Sequence, residues 1–218
     1  MSRAARDAIA GLYDHRLQRG YIRWKLSADP VYPATAAIIA NQPMPLLDIG
    51  CGIGLLAQYL HARGIAQRYL GLDHDERKIS AGNRAVQRAG LDARMTMHHA
   101  DVSDLPTFQG HVALLDVLHY LPADRQHALL QASVRHLAPE GCLIIRNVLR
   151  EPNWRFHATR MEEFFLQASG WIPGGAQHYP SADELRTPLQ HAGLEVDIRS
   201  LRGNTPYNSY LVVGRRRR

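Results

Sequence analysis

Between Pro45 and Val148 a short apolar run, a polar turn and a longer stretch with apolar residues at helical spacing keep recurring. The runs Leu46–Ile49, Arg68–Asp73, Ala93–His99, His111–Val117 and Cys142–Val148 are too short for helices and are predicted strands. The segments Leu55–Arg63, Asp75–Ala89, Ala123–Leu137 and the brief Leu105–Phe108 are predicted helices. Strands alternating with helices imply an α/β fold: a mostly parallel sheet, helices on both faces and right-handed crossovers.

The flanks behave differently. Arg3 to Leu26 reads as one or two helices, with Ile9, Leu12, Tyr13, Leu17, Tyr21 and Trp24 near helical spacing. Asp29-Pro30-Val31-Tyr32-Pro33 interrupts that pattern, because each proline disfavours helix at the residue before it. A short helix over Ala34–Ala40 is expected next. Since residues 1–44 stand outside the repeat, they are expected to cross the sheet's ligand-binding edge as a helical lid. At the other end, Ser181-Ala182-Asp183-Glu184 forms a capping box for a helix that runs to Ala192 and stops at Gly193. Strands over Leu194–Ser200 and Tyr210–Gly214 follow, separated by the turn-rich Arg202-Gly203-Asn204-Thr205-Pro206. The expectation is one domain: lid 1–44, core 45–150, insertion 151–180, closing elements 181–214 and a basic tail 215–218.

Composition adds only exclusions. The 218 residues are 45% hydrophobic and 21% charged, which suits a single soluble domain with a large core. No apolar run is long enough to span a membrane, and the N-terminus lacks a signal-peptide core. Cys51 and Cys142 are the only cysteines, too few and too far apart for a structural zinc site, so no metal is expected. Unpaired thiols point to a reducing compartment, hence the cytoplasm. Of the net charge of +6, four charges come from Arg215 to Arg218, expected to be a frayed, solvated tail. The remainder is a poor basis for nucleic-acid binding.

The first strand carries the chemistry. Asp48-Ile49-Gly50-Cys51-Gly52-Ile53-Gly54 ends an apolar run in three alternate glycines and leads directly into a helix. Such a turn lets backbone N–H groups approach a ligand where a Cβ would collide. A dinucleotide loop has its third glycine one position later; here position 55 is Leu. The pattern Asp-x-Gly-x-Gly-x-Gly instead resembles the cofactor loop of class I S-adenosylmethionine (SAM) dependent methyltransferases. That resemblance implies a Rossmann-like, seven-stranded sheet closed by an antiparallel hairpin. It also implies SAM as cofactor.

Acids end the next strands at matching places. Asp73 follows Asp48 by roughly 25 residues, where a carboxylate can accept both ribose hydroxyls. Asp101 and Val102 end the third strand, with an acceptor for an adenine amino group and a neighbouring backbone N–H. His74 is a candidate for the adenine face. The expected cofactor-binding set is Asp48, Gly50, Cys51, Gly52, Gly54, Asp73, His74, Asp101, Val102 and Asp116.

Methyl transfer to a hydroxyl needs alignment and removal of a proton. His119, just past the fourth strand, is the first candidate base, with Asp116 to orient it or to touch the cofactor's amino-acid end. His157 is the second. It lies in an aromatic insertion whose Met161, Phe164, Phe165 and Ala168 have core spacing, whereas Trp154, Phe156, His157 and Trp171 could wall an apolar acceptor pocket. Arg155, Arg23 and Lys25 could hold an acidic group. Asp116-Val117-Leu118-His119 differs from the Asn/Asp-Pro-Pro-aromatic turn of enzymes that methylate base amines or protein glutamine. No stacking aromatics lie between basic clusters. A nucleic-acid substrate is therefore disfavoured.

Three longer motifs, Tyr21-Ile22-Arg23-Trp24-Lys25-Leu26 with Asp29-Pro30-Val31-Tyr32-Pro33, Leu115 to Pro122, and Asn204-Thr205-Pro206-Tyr207-Asn208, resemble methyltransferases of bacterial aryl-polyene pigment gene clusters. This resemblance implies a small aromatic or phenolic acceptor, which an acidic acyl carrier protein could carry. RNA or protein methylation, and a SAM-binding subunit without turnover, are the alternatives. A nucleotide-dependent oxidoreductase is disfavoured by Leu55 and the string of acids.

Overall fold

The computed structural model describes residues 1–151, 156, 175–201 and 208–217. Seven strands form one sheet in the order β3-β2-β1-β4-β5-β7-β6. β1 (Leu46–Ile49), β2 (Tyr69–Asp73), β3 (Met95–His99), β4 (His111–Leu115) and β5 (Cys142–Val148) run parallel. β7 (Ser209–Arg216) pairs antiparallel with both β5 and β6 (Leu194–Ser200). The predicted Rossmann-like sheet with its closing hairpin is therefore what forms. Strand order reverses between β1 and β4, and at such a switch the carboxyl ends of the strands open a crevice.

Alternate residues of each strand feed two apolar layers. Leu46, Ala113, Ile144 and Val213 pack with the N-terminal helices, α4 (Leu55–Ala62) and α5 (Glu76–Arg88). Leu47, Ile49, Leu114, Leu143, Ile145 and Val212 pack with α6 (Ala123–Arg135) and α7 (Ala182–His191). β1 and β5 are buried along their whole length, as expected of central strands covered on both faces.

Four sequence expectations need correction. The N-terminal segment is two helices, α1 (Arg3–Gly11) and α2 (Arg16–Ala28), and α3 spans Val31–Ile39 rather than starting at Ala34. Pro33 falls in the first turn of α3, where a missing N–H costs nothing. Leu105–Phe108 is not helical. β4 stops at Leu115 because Asp116 adopts a positive φ of 62° and the chain turns into a 3₁₀ segment, Leu118–Tyr120. Arg215 and Arg216 are not frayed: they end β7, opposite Cys142 and Leu194.

Candidate functional site

The glycine turn is stapled to β2. The N–H groups of Gly50 and Cys51 both donate to the Leu72 carbonyl, at 2.7 and 2.9 Å. A Cβ on Gly50 would stand 2.3 Å from Val117 Cγ2, so this glycine is needed for packing between the β1 and β4 ends. Gly52 differs: at φ +58°, its Cβ would meet nothing within 4 Å. Its N–H donates to Asp73 Oδ2 at 2.8 Å. Gly54 is the N-cap of α4, whose first amides face the same edge without intrahelical partners. The Cys51 side chain is buried beside Gly71, and burial pushes its thiol far up.

The ends of β2 and β3, which carry the next two acids, lie side by side. Asp73 is buried, and its Oδ1 accepts from the Asp75 N–H at 2.9 Å. The Asp73 carbonyl accepts from Ala100 N–H at 3.1 Å, and the His99 ring donates to the His74 carbonyl at 3.0 Å, which joins the β2 and β3 ends. His74 itself is exposed, with Nδ1 3.6 Å from Asp73 Oδ1. Asp101 is exposed; its Oδ1 accepts from the N–H and hydroxyl of Ser103, at 2.9 and 2.7 Å, and these bonds hold its carboxyl below the usual range. Val102 is partly buried beside it.

Asp48 lies beneath the turn, fully buried, with Oδ2 accepting from the Tyr69 hydroxyl at 2.5 Å. Oδ1 has no partner among the described residues. Burial raises the carboxyl to about 7, against the Tyr69 bond, which favours the anion.

The N-terminal segment is tied to the turn after β1 and to α5. The Tyr13 hydroxyl donates to the Ile53 carbonyl at 2.9 Å, and Asp14 pairs with Arg84 and Arg88 on α5. Asp29, at the end of α2, pairs with Lys25 at 2.9 Å and with the buried Arg146 at 2.8 Å. Arg146 also pairs with Asp116, whose N–H donates to the Arg146 carbonyl at 2.8 Å. Lys25 and Arg23 were expected to serve an acidic ligand group. Lys25 pairs with Asp29 instead, and Arg23 pairs with Asp7 at 2.5 Å, so both are engaged within the N-terminal segment.

Past β4 the side chains are aromatic. His119 is buried, and its ring lies parallel to Tyr179 with centroids 6.0 Å apart and tilts against Tyr120 at 4.1 Å. Phe156 meets Tyr179 edge-on at 5.1 Å. Nδ1 of His119 lies 2.9 Å from Asn147 Oδ1. Asp116 does not orient His119, because its carboxylate is held by Arg146. His157, Trp154, Arg155 and Trp171, and the stripe Met161, Phe164, Phe165 and Ala168, lie outside the described residues. Sequence reasoning missed Arg146 and Asn147, and marked Tyr179 only as one of the aromatics of the insertion. A charged and an amide residue inside the otherwise apolar run of β5 were the available signal for the first two.

Residues 46–141 match the family model described as a methyltransferase domain. Over 203 residues the chain is 31% identical to 27-O-demethylrifamycin SV methyltransferase of Amycolatopsis mediterranei (strain S699), covering 87% of this chain and 70% of that one. The chain belongs to the class I SAM-dependent methyltransferases. This methyltransferase is also 28% identical to a ubiquinone biosynthesis O-methyltransferase of Parvibaculum lavamentivorans, over 81% of its own length and 68% of the relative's. In fold it matches magnesium protoporphyrin IX methyltransferase of Synechocystis PCC 6803, solved with S-adenosylhomocysteine bound. The TM-score is 0.68 at 17% identity, covering 97% and 93% of the two chains.

The methyltransferase's cofactor is SAM, and its own residues fit one. Gly52 turns its missing Cβ toward open space, which leaves room for a ligand beside the turn. The unpartnered, buried Oδ1 of Asp48 is an acceptor at the foot of that turn. No group of three or more metal-ligating side chains occurs among the described residues. No described helix is long and apolar enough to cross a membrane.

Proposed function

We propose that this methyltransferase transfers a methyl group to a hydroxyl of a small aromatic acceptor, with His119 as the base. The observation that carries this reading is the buried imidazole of His119 set among Tyr120, Tyr179 and Phe156, one strand away from the glycine cradle. A flat apolar acceptor matches such walls, and the hydroxyl supplies the proton that a histidine can take near neutral pH. O-methylation is also the reaction in the names of the rifamycin and ubiquinone-biosynthesis relatives.

In this reading the N–H groups at the α4 N-terminus, with Gly50, Gly52 and Gly54 shaping the turn and Cys51 giving only its backbone, surround the amino-acid part of SAM. Asp48 and Asp116 serve the same end. Asp73 accepts from the ribose hydroxyls, and His74, Asp101 and Val102 surround the adenine. Bound SAM supplies an electrophilic methyl on sulfur. The chain's own work is to hold the acceptor in line, exclude water and receive its proton. The N-terminal helices act as the lid, with Tyr13 on Ile53 as its latch. His157 remains the second candidate base.

A finer placement, an aryl-polyene branch with the acceptor on an acidic carrier protein, is supported by the sequence motifs around Tyr21, His119 and Asn204. The exposed Arg16 of α2 would suit such a partner. The free, buried thiols of Cys51 and Cys142 suit the cytoplasm.

The test is methyl transfer from radiolabelled SAM to catechol, 3,4-dihydroxybenzoate, caffeate and 4-coumarate, with aniline, bulk RNA and a histone mixture as controls. Turnover of the phenols alone supports the reading. Label entering RNA or protein, or SAM binding without transfer to anything, replaces it.

A further inference from the structure

One neighbour decides which ring nitrogen of His119 is basic. Asn147, on β5, is fully buried and cannot turn its amide either way. Its Nδ2 donates to the Val148 carbonyl at 2.8 Å, so Oδ1 is the atom that faces the histidine. That oxygen lies 2.9 Å from His119 Nδ1 and also accepts from the His119 N–H at 3.4 Å. An amide oxygen can only accept; the hydrogen between the two groups must therefore sit on Nδ1.

The surrounding turn keeps the ring in place. The two hydrogens of Gln126 Nε2 are shared among the carbonyls of Leu118, Leu121 and His178, at 2.8, 3.0 and 2.8 Å. The His119 carbonyl in turn accepts from the N–H groups of Gln177 and His178, at 2.8 and 3.3 Å. The 3₁₀ turn and the segment carrying Tyr179 are thus one clamped unit around the imidazole.

We infer that Asn147 is a positioning residue that fixes the Nδ1–H form of His119 and so makes Nε2 the nitrogen that receives the acceptor's proton. The inference rests on His119 being the base. The hydroxyl proton passes to Nε2, the imidazolium still donates from Nδ1 to Asn147, and the Nε2 proton later leaves to water. An amide selects the form without adding a charge. A carboxylate at this position would select the same form and also favour the imidazolium.

Nitrogen-15 NMR of the whole, cofactor-free protein with labelled histidine tests this without any acceptor. His119→Gln identifies the His119 signals. The expected spectrum of the neutral ring has its proton on Nδ1 rather than Nε2; Asn147→Leu should lose that preference, and Asn147→Asp should keep it. With catechol as acceptor, Asn147→Leu should lower kcat by about 100-fold or more while SAM affinity changes less than threefold. Asn147→Asp should keep kcat within tenfold and move the acid limb of its pH profile upward, which a merely structural residue would not do. A wild-type spectrum with the proton on Nε2 overturns the inference even if Asn147→Leu fails to fold. A spectrum as expected, together with full activity in His119→Gln, overturns instead the assignment of His119 as base.

Discussion

Gly52 and Asp73 are joined by a 2.8 Å bond from the glycine N–H to a carboxylate oxygen, which makes the turn after β1 and the end of β2 a single rigid corner. The other oxygen of Asp73 caps Asp75 at the entrance to α5, and its carbonyl anchors Ala100 at the end of β3. One buried acid therefore organises three successive strand ends before any ligand arrives. That pre-organisation lowers the ordering cost of binding.

Asp73→Ala should weaken SAM binding by about 1–3 kcal/mol, because it strands the N–H groups of Gly52 and Asp75 and removes the acceptor for the ribose. Calorimetric titration measures it directly. Affinity equal to wild type would detach Asp73 from the cofactor.

Asp48 makes stability depend on pH. Its carboxyl sits at about 7 in the fold, above its ordinary value of 3.8, because burial penalises the anion. Below about pH 4 both folded and unfolded chains are protonated here, and the fold keeps its full stability. As pH rises toward 7 the unfolded chain ionises first, and the contribution is lost, by up to about 4 kcal/mol. Urea unfolding of the cofactor-free protein should therefore show wild type losing stability relative to Asp48→Asn between pH 4 and 8. Parallel curves would contradict the buried, proton-holding state of Asp48.

Arg146 neutralises two carboxylates at once. Burial opposes ionisation of Asp29, yet Arg146 and Lys25 hold its carboxyl below the usual range. Arg146→Met leaves Asp29 and Asp116 without that cation, and breaking a buried pair from one side costs roughly 3–5 kcal/mol. Denaturant unfolding should show a loss of that order. A loss under about 1 kcal/mol would mean that water already screens the cluster.

Much of this was legible in the sequence because its signals are local. Alternating apolar runs gave the parallel sheet, the Ser181–Glu184 box opened α7, and the acids 73 and 101 sit where strand ends put them. Boundaries failed where one residue's conformation decides them. Pro33 fits a first helical turn, and Asp116 at φ 62° ends β4 early. The ties of Arg146 and Asn147 were illegible because their partners, Asp29 and His119, lie 117 and 28 residues away. No spacing rule links a polar residue in a buried strand to a helix end or a turn so distant.

In the proposed reading the open face of Gly52 receives the cofactor. The most direct measurement is calorimetric titration of S-adenosylhomocysteine into wild type and Gly52→Val, with unfolding midpoints of the cofactor-free proteins as the control for folding. A Cβ at Gly52 meets no protein atom within 4 Å, but φ +58° strains a valine there, so the variant should fold with a lowered unfolding midpoint and lose detectable binding. Binding as tight as wild type in a folded Gly52→Val would show that the cofactor does not occupy this cradle.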